Sequence, residues 1–141
     1  MATYNKFLAF AAQLLRAKHN FDAHAFKVAL TNTPPVNTNT VLADIAQIAA
    51  TGGYVAGGYA LDGVTLTEAA GTAKVTIADE VITAAGGSIG PFRYAVVYND
   101  SQASPGKPLM CWFDYGAPTT LLDGEPFTLD FDGSAGVFTL A

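Results

Sequence analysis

Two stretches of the chain alternate strictly in side-chain character. In residues 92–98, Phe92, Tyr94, Val96 and Tyr98 fall on one side of a two-residue period and Arg93, Ala95 and Val97 on the other. In residues 109–115, Leu109, Cys111, Phe113 and Tyr115 alternate against Met110, Trp112 and Asp114. Both runs are β-prone, and the connection between them is rich in Asn, Asp, Ser, Pro and Gly. The pattern predicts a long antiparallel hairpin with a loose tip. Bulk on both faces places that hairpin inside a packed sheet, at the middle of the fold.

The rest of the chain divides around it. In residues 1–20 Phe7, Phe10, Ala11, Leu14 and Leu15 fall at helical spacing, with Thr3 available as a cap and basic residues near the end, which predicts an amphipathic helix. A secretory leader with Lys6 as its charged part lacks a small-x-small cleavage site, and the apolar run is far short of the roughly 20 residues a membrane span needs. The helix has two possible seats, its own domain or a partner subunit. Residues 25–31 predict a strand with Phe26, Val28 and Leu30 on one face. The turn-forming stretch 33–40 offers Asn39 or Thr40 as a cap for a second, short helix over 41–50, closed by Gly52 and Gly53. Short strands follow at 64–67, 72–78, 81–84, 119–122, 127–131 and 137–140, the last two joined by a hairpin turn at 132–136. Strands at this spacing, with no strand–helix alternation, predict one mainly β domain over residues 1–141. Its expected form is a jelly-roll-like antiparallel sandwich over 25–141, preceded by the helical segment 1–20.

Composition sharpens this picture. Charged residues make up 13% of the 141, half the chain is apolar, and mean hydropathy is +0.28, whereas an average soluble domain is roughly 25% charged. Two readings fit: a compact β domain that uses Thr, Asn and Gly as its polar face, or a subunit whose surface is largely covered by neighbours. The second is preferred. Net charge is −5, and the seven basic residues are spread from Lys6 to Lys107. That spread gives no phosphate-binding footprint, so direct nucleic-acid binding is not expected. The single cysteine, Cys111, excludes an internal disulfide and reads as a small apolar filler.

Candidate chemistry is sparse. His19 and His24 stand five apart, a spacing that does not share one helical face, and neither a metal site nor a cofactor is expected. The nearest approach to a nucleophile elbow, residues 86–90, has the wrong frame and reads as a flexible turn. Asp114, Asp123, Glu125, Asp130 and Asp132 could in principle supply a carboxylate pair, but Asp123, Glu125 and Asp132 sit in turn contexts that favour solvated roles. Arg93 interrupts an apolar strand, a costly place for an unpaired charge. A hairpin closing near Tyr98 and Pro108 would set it beside Phe113 or Asp114, and the charge selects a structural Arg93–Asp114 ion pair stacked on Trp112. An intersubunit contact through Arg93 is the competing reading.

The order of four blocks carries a resemblance: TNTPP…TVLADI (31–45), GGSIGPFRYAVVYND (86–100), WFDYG (112–116) and LDGEPFTLDF (122–131). From about Phe26 onward the chain resembles small structural proteins of tailed bacteriophages, in particular the jelly-roll cement (decoration) family, as on the capsid of a short-tailed Bordetella phage. The resemblance implies a non-enzymatic virion role, with many copies on the outer surface of an HK97-like shell, bridging major capsid proteins and one another. It supplies no contact residues. The expected contact surface is the helix face of Phe7, Phe10 and Leu14 with the loop 99–108, including Asn99, Asp100 and Pro108. The alternative is a tail-associated module that binds a receptor or glycan, with Tyr54, Tyr59, Tyr98, Trp112 and Tyr115 as stacking surfaces.

Overall fold

The hairpin predicted from the alternation is the longest feature of a computed structural model that describes residues 2–141. Its strands, β7 (Ile89–Asn99) and β8 (Leu109–Leu121), extend well beyond the alternating runs. They lie at the centre of a five-stranded antiparallel sheet that also holds β1 (Thr3–Lys6), β2 (Phe26–Thr31) and β3 (Tyr59–Ala60), in the order β1-β8-β7-β2-β3. Two smaller antiparallel sheets are formed by β4 (Thr65–Ala69), β5 (Thr72–Thr76) and β10 (Phe138–Leu140), and by β6 (Glu80–Thr83) with β9 (Pro126–Leu129). The fold is a mainly β antiparallel sandwich.

Both faces of the large sheet are buried. One carries Val28, Leu30, Ala95, Val97 and Phe113 against Val75, Ile82, Leu129 and Val137 of the smaller sheets and their loops. The other carries Ala29, Tyr94, Val96, Tyr98 and Trp112 against Phe7 and Ile45. Cross-strand burial on two sides suits near-continuous apolar strands, which is how β2 and β7 read.

Two irregularities correct the simple alternation. Val97 pairs with Cys111 but Tyr98 with Leu109, so Met110 is an extra residue and turns to the same face as Cys111. Phe92 pairs with Thr119 but Tyr94 with Asp114, so residues 115–118 loop out of β8. Phe92 consequently packs on the opposite face from Tyr94, Val96 and Tyr98. A bulge shifts the period by one, and every residue beyond it changes side.

The N-terminal segment also differs from the expectation. Residues 3–6 form an edge strand on β8, with Thr3 opposite Asp114 and Lys6 opposite Cys111, and the only α-helix among the described residues is α1, Ala9–Leu15. Phe7 belongs to one core face and Phe10 to the other, so the chain passes around the sheet edge between them. The β-sandwich therefore begins at residue 3, not at 25. The second helix is reduced to one 3-10 turn, Leu42–Asp44, whose Asp44 carboxylate accepts the N–H groups of Thr40 (2.9 Å) and Val41 (3.2 Å). The chain on either side is held extended by pairing of Val41 with Pro108 and of Thr31 with Gln47, and Ile48 N–H donates to the Leu30 carbonyl at 3.1 Å. Backbone pairing with the sheet thus outweighs a weak helical pattern. Residues 127–131 and 137–140 do not pair with each other: β9 joins β6 and β10 joins β5.

One glycine is required by close approach. Gly58 has φ +76°, and a Cβ there would stand 1.8 Å from the Val28 carbonyl oxygen. Only glycine lets the chain enter β3 against β2 at this point.

Candidate functional site

The predicted Arg93–Asp114 pair is formed and is bidentate. Arg93 Nε donates to Asp114 Oδ1 at 2.7 Å and Nη2 to Oδ2 at 3.0 Å. Asp114 Oδ1 also accepts the Gly116 N–H at 2.8 Å, so the carboxylate ties down the loop-out of β8 as well. The guanidinium first, and then the Gly116 amide, hold the Asp114 carboxyl below its ordinary range. The stacking partner is not Trp112: the guanidinium carbon stands 5.2 Å from the centre of the Tyr94 ring, the residue beside it on β7. The pair is half-exposed and intramolecular.

The expected contact surface is largely internal. Phe7 and Phe10 are fully buried in this chain, and Leu14 packs partly against the core. In the loop, Asn99 and Pro108 are buried too. Asn99 Oδ1 accepts the N–H groups of Ser101 (2.9 Å) and Gln102 (3.2 Å), and its Nδ2 donates to the Lys18 carbonyl at 3.1 Å. Asp100 is claimed by Lys107 (2.9 Å) and Lys27 (3.4 Å), which lower its pKa, Lys107 foremost. These residues lock the loop against the fold and leave little of themselves for a partner.

His19 and His24 meet at the same asparagine. Asn99 Nδ2 lies 2.8 Å from His24 Nδ1 and 3.4 Å from His19 Nδ1. The Asn20 N–H also donates to His24 Nδ1 (3.2 Å), which makes that nitrogen an acceptor and places the His24 proton on Nε2. His19 is packed between Phe10 and Phe26 and its Nε2 has no partner. Burial, with His24 adding to it, pushes the His19 pKa down to about 4. The pair is a packing element linking the segment after α1 to the end of β7. Among the described residues no three His, Cys, Asp or Glu side chains are grouped as a metal would need. Cys111 is fully buried, and burial raises its thiol pKa, keeping it protonated.

Two surface features stand out, and the first corrects the expected amphipathic face, because Ala11 and Leu15 lie on the solvent side of the helix, away from Phe10 and Leu14. The first is the outer face of α1. Leu8, Ala11, Ala12 and Leu15 stand at i, i+3, i+4 and i+7 and all face solvent, Leu15 at 85% exposure. With Phe10 and Leu14 on the inner side, this short helix is apolar nearly all round, a pattern that belongs to helices covered on both sides. The second is a hollow of about 770 Å³ between β1, the middle of β8 and the loop from β9 to β10. Phe113 and Val137 form its buried floor, and Tyr4, Tyr115, Asp130 and Asp132 stand around it. Desolvation and then the Asp130 charge push the Tyr115 hydroxyl up to about 12. Asp132 is occupied in its turn, accepting Ser134 and Ala135 N–H groups at 2.8 Å each. Asp130 has no hydrogen-bond or ion-pair partner among the described residues. Of the five rings considered as stacking surfaces, Tyr54, Tyr98 and Trp112 are buried, Tyr59 is half-buried on the sheet, and Tyr115 alone lines this hollow.

Among the described residues no helix is long and apolar enough to cross a membrane. Compared with known proteins, the chain matches no family model, no curated sequence and no solved structure.

Proposed function

We propose that the protein is a non-enzymatic structural subunit of a virion. In this reading it is a cement protein that binds the outside of an HK97-like shell and bridges neighbouring major capsid proteins and copies of itself. The observation that carries the reading is the mismatch between surface and charge. Only 13% of residues are ionic, while Leu8, Leu15, Val36, Val55, Val81, Leu122 and Leu140 are each more than half exposed. An isolated soluble domain keeps a surface richer in charge; a subunit set among neighbours does not need to. The β-sandwich and the resemblance of its sequence blocks to capsid-decorating proteins favour the same role. Stabilisation then follows from mass action: a subunit that binds the assembled shell, but not its dissociated parts, raises the cost of opening it. The Arg93–Asp114 pair and the pinned 99–108 loop keep the sandwich rigid under that load.

The test is a cryo-EM map of whole particles carrying the chain. Density for a 14.6 kDa subunit repeated over the outer shell is the expected result. A single ring of copies at the tail, or saccharide binding by protein that is absent from the shell, would overturn the reading.

A further inference from the structure

The outer face of α1 and the hollow beside β1 are chemical complements. We propose that copies of this chain associate head to tail, with the C-terminal end of α1 in one copy seated in the aromatic, acidic hollow of the next. Leu15 is the most exposed large apolar side chain of the described residues, and Arg16 follows it directly. The hollow offers a leucine an apolar floor, Phe113 and Val137, and offers a cation the face of Tyr115 and the unpaired carboxylate of Asp130. Its volume lies within the roughly 300–1,000 Å³ of a well-formed binding cavity.

Charge segregation selects a second copy as the occupant. Residues 1–21 hold Lys6, Arg16 and Lys18 and no acid, while residues 22–141 hold four basic and twelve acidic residues. The four later cations are engaged: Lys27 and Lys107 on Asp100, Arg93 on Asp114, and Lys74 on the Ser134 carbonyl. Lys6, Arg16 and Lys18 have no acidic partner among the described residues. The N-terminal end of one copy is therefore attracted to the body of another. An anionic lipid surface would also attract three cations at about 1 kcal/mol each, but it does not use the hollow. A heterologous contact of this kind closes into a ring or runs on as a chain, and a curved shell would decide between them. The inference goes beyond the virion role, because it is tested in free solution: its failure leaves shell binding open, and failure of shell binding leaves it standing.

Sedimentation velocity across a range of concentrations, in low and in high salt, reads the association directly. Concentration-dependent oligomers in low salt are expected to dissociate as salt rises. Leu15→Asp, Arg16→Glu and Asp130→Lys, all at exposed positions, are each expected to weaken association about tenfold or more, with Trp112 fluorescence reporting an intact fold. The double variant Arg16→Glu with Asp130→Lys is expected to recover most of the loss. A monomer at every concentration overturns the proposal. So does an association that Leu15→Asp abolishes but Asp130→Lys leaves untouched, since α1 would then pair with itself. Binding to phosphatidylserine vesicles that requires Leu15, without self-association, assigns the face to membranes and overturns it too.

Discussion

His19 shows how a single buried side chain sets a pH limit on the fold. Its folded pKa, near 4, lies below the ordinary 6.5 because the charged ring would lose its water among Phe10, Phe21 and Phe26. The unfolded chain therefore binds the proton more readily, and stability falls with pH. Stability is full above about 6.5, declines as pH drops toward 4, and the loss from this residue reaches about 3 kcal/mol below that. Asp100 and Asp114, whose folded pKa values are depressed, add a further loss at lower pH, as each is protonated through its folded value. Urea midpoints followed from pH 7.5 to 4 are expected to fall along this curve, and His19→Gln is expected to flatten the part between 6.5 and 4. A midpoint that stays constant over that interval would show that the ring is solvated.

At the scale of elements, the sequence was most legible where one periodicity had no competitor. Residues 94–98 and 111–114 alternate cleanly and form the central hairpin, and Arg93 found Asp114 because the pairing register follows from where the hairpin closes. Legibility failed where two elements meet inside one apparent period. Phe7, Phe10 and Leu14 match a helix, yet Phe7 follows the edge strand β1, its N–H donating to the Met110 carbonyl, and only the other two belong to α1. The bulge at Met110 and the loop-out at 115–118 are set by partners distant in sequence, which no local pattern announces. The charge pattern misled for the same reason: seven scattered basic residues look uniform until the pairing shows which three are free. One consequence concerns how α1 is probed. Removing residues 1–20 deletes β1, Phe7 and Phe10, so it tests folding instead of docking. Phe10→Ala is expected to cost about 3–5 kcal/mol, from the lost aromatic contacts with His19, Phe21 and Phe138 and the cavity left behind. Leu8→Ala, on the exposed side of the same segment, is expected to change stability by about 0.5 kcal/mol or less. Chemical denaturation of both variants checks the contrast, and equal losses would mean that the helix is seated the other way round.

For the molecule as a whole, the order of the sheets implies a gradient of stability. The five-stranded sheet joins residue 3 to residue 114 and residue 26 to residue 99, so it cannot close until β8 is complete. Once closed, its inner strands β2, β7 and β8 are covered on both faces, and opening them requires exposing both cores. The sheet of β10, β5 and β4 is different. Every residue of β4 is exposed, its outer edge is unpaired, and β5 contributes only Val75 as a fully covered side chain. Few buried contacts and a solvated ladder are the conditions for local opening without global unfolding. Hydrogen exchange is therefore expected to separate the two regions. Amides of residues 65–69 should exchange at least about a hundredfold faster than those of residues 94–98, a difference of about 2.7 kcal/mol in opening free energy. If the head-to-tail contact forms, added protein concentration should slow exchange around α1 and residues 113–115 while leaving the β4–β5 hairpin unchanged. Uniform protection across both sheets would instead show that the sandwich opens as one unit and that β4 is held by contacts absent from the single chain.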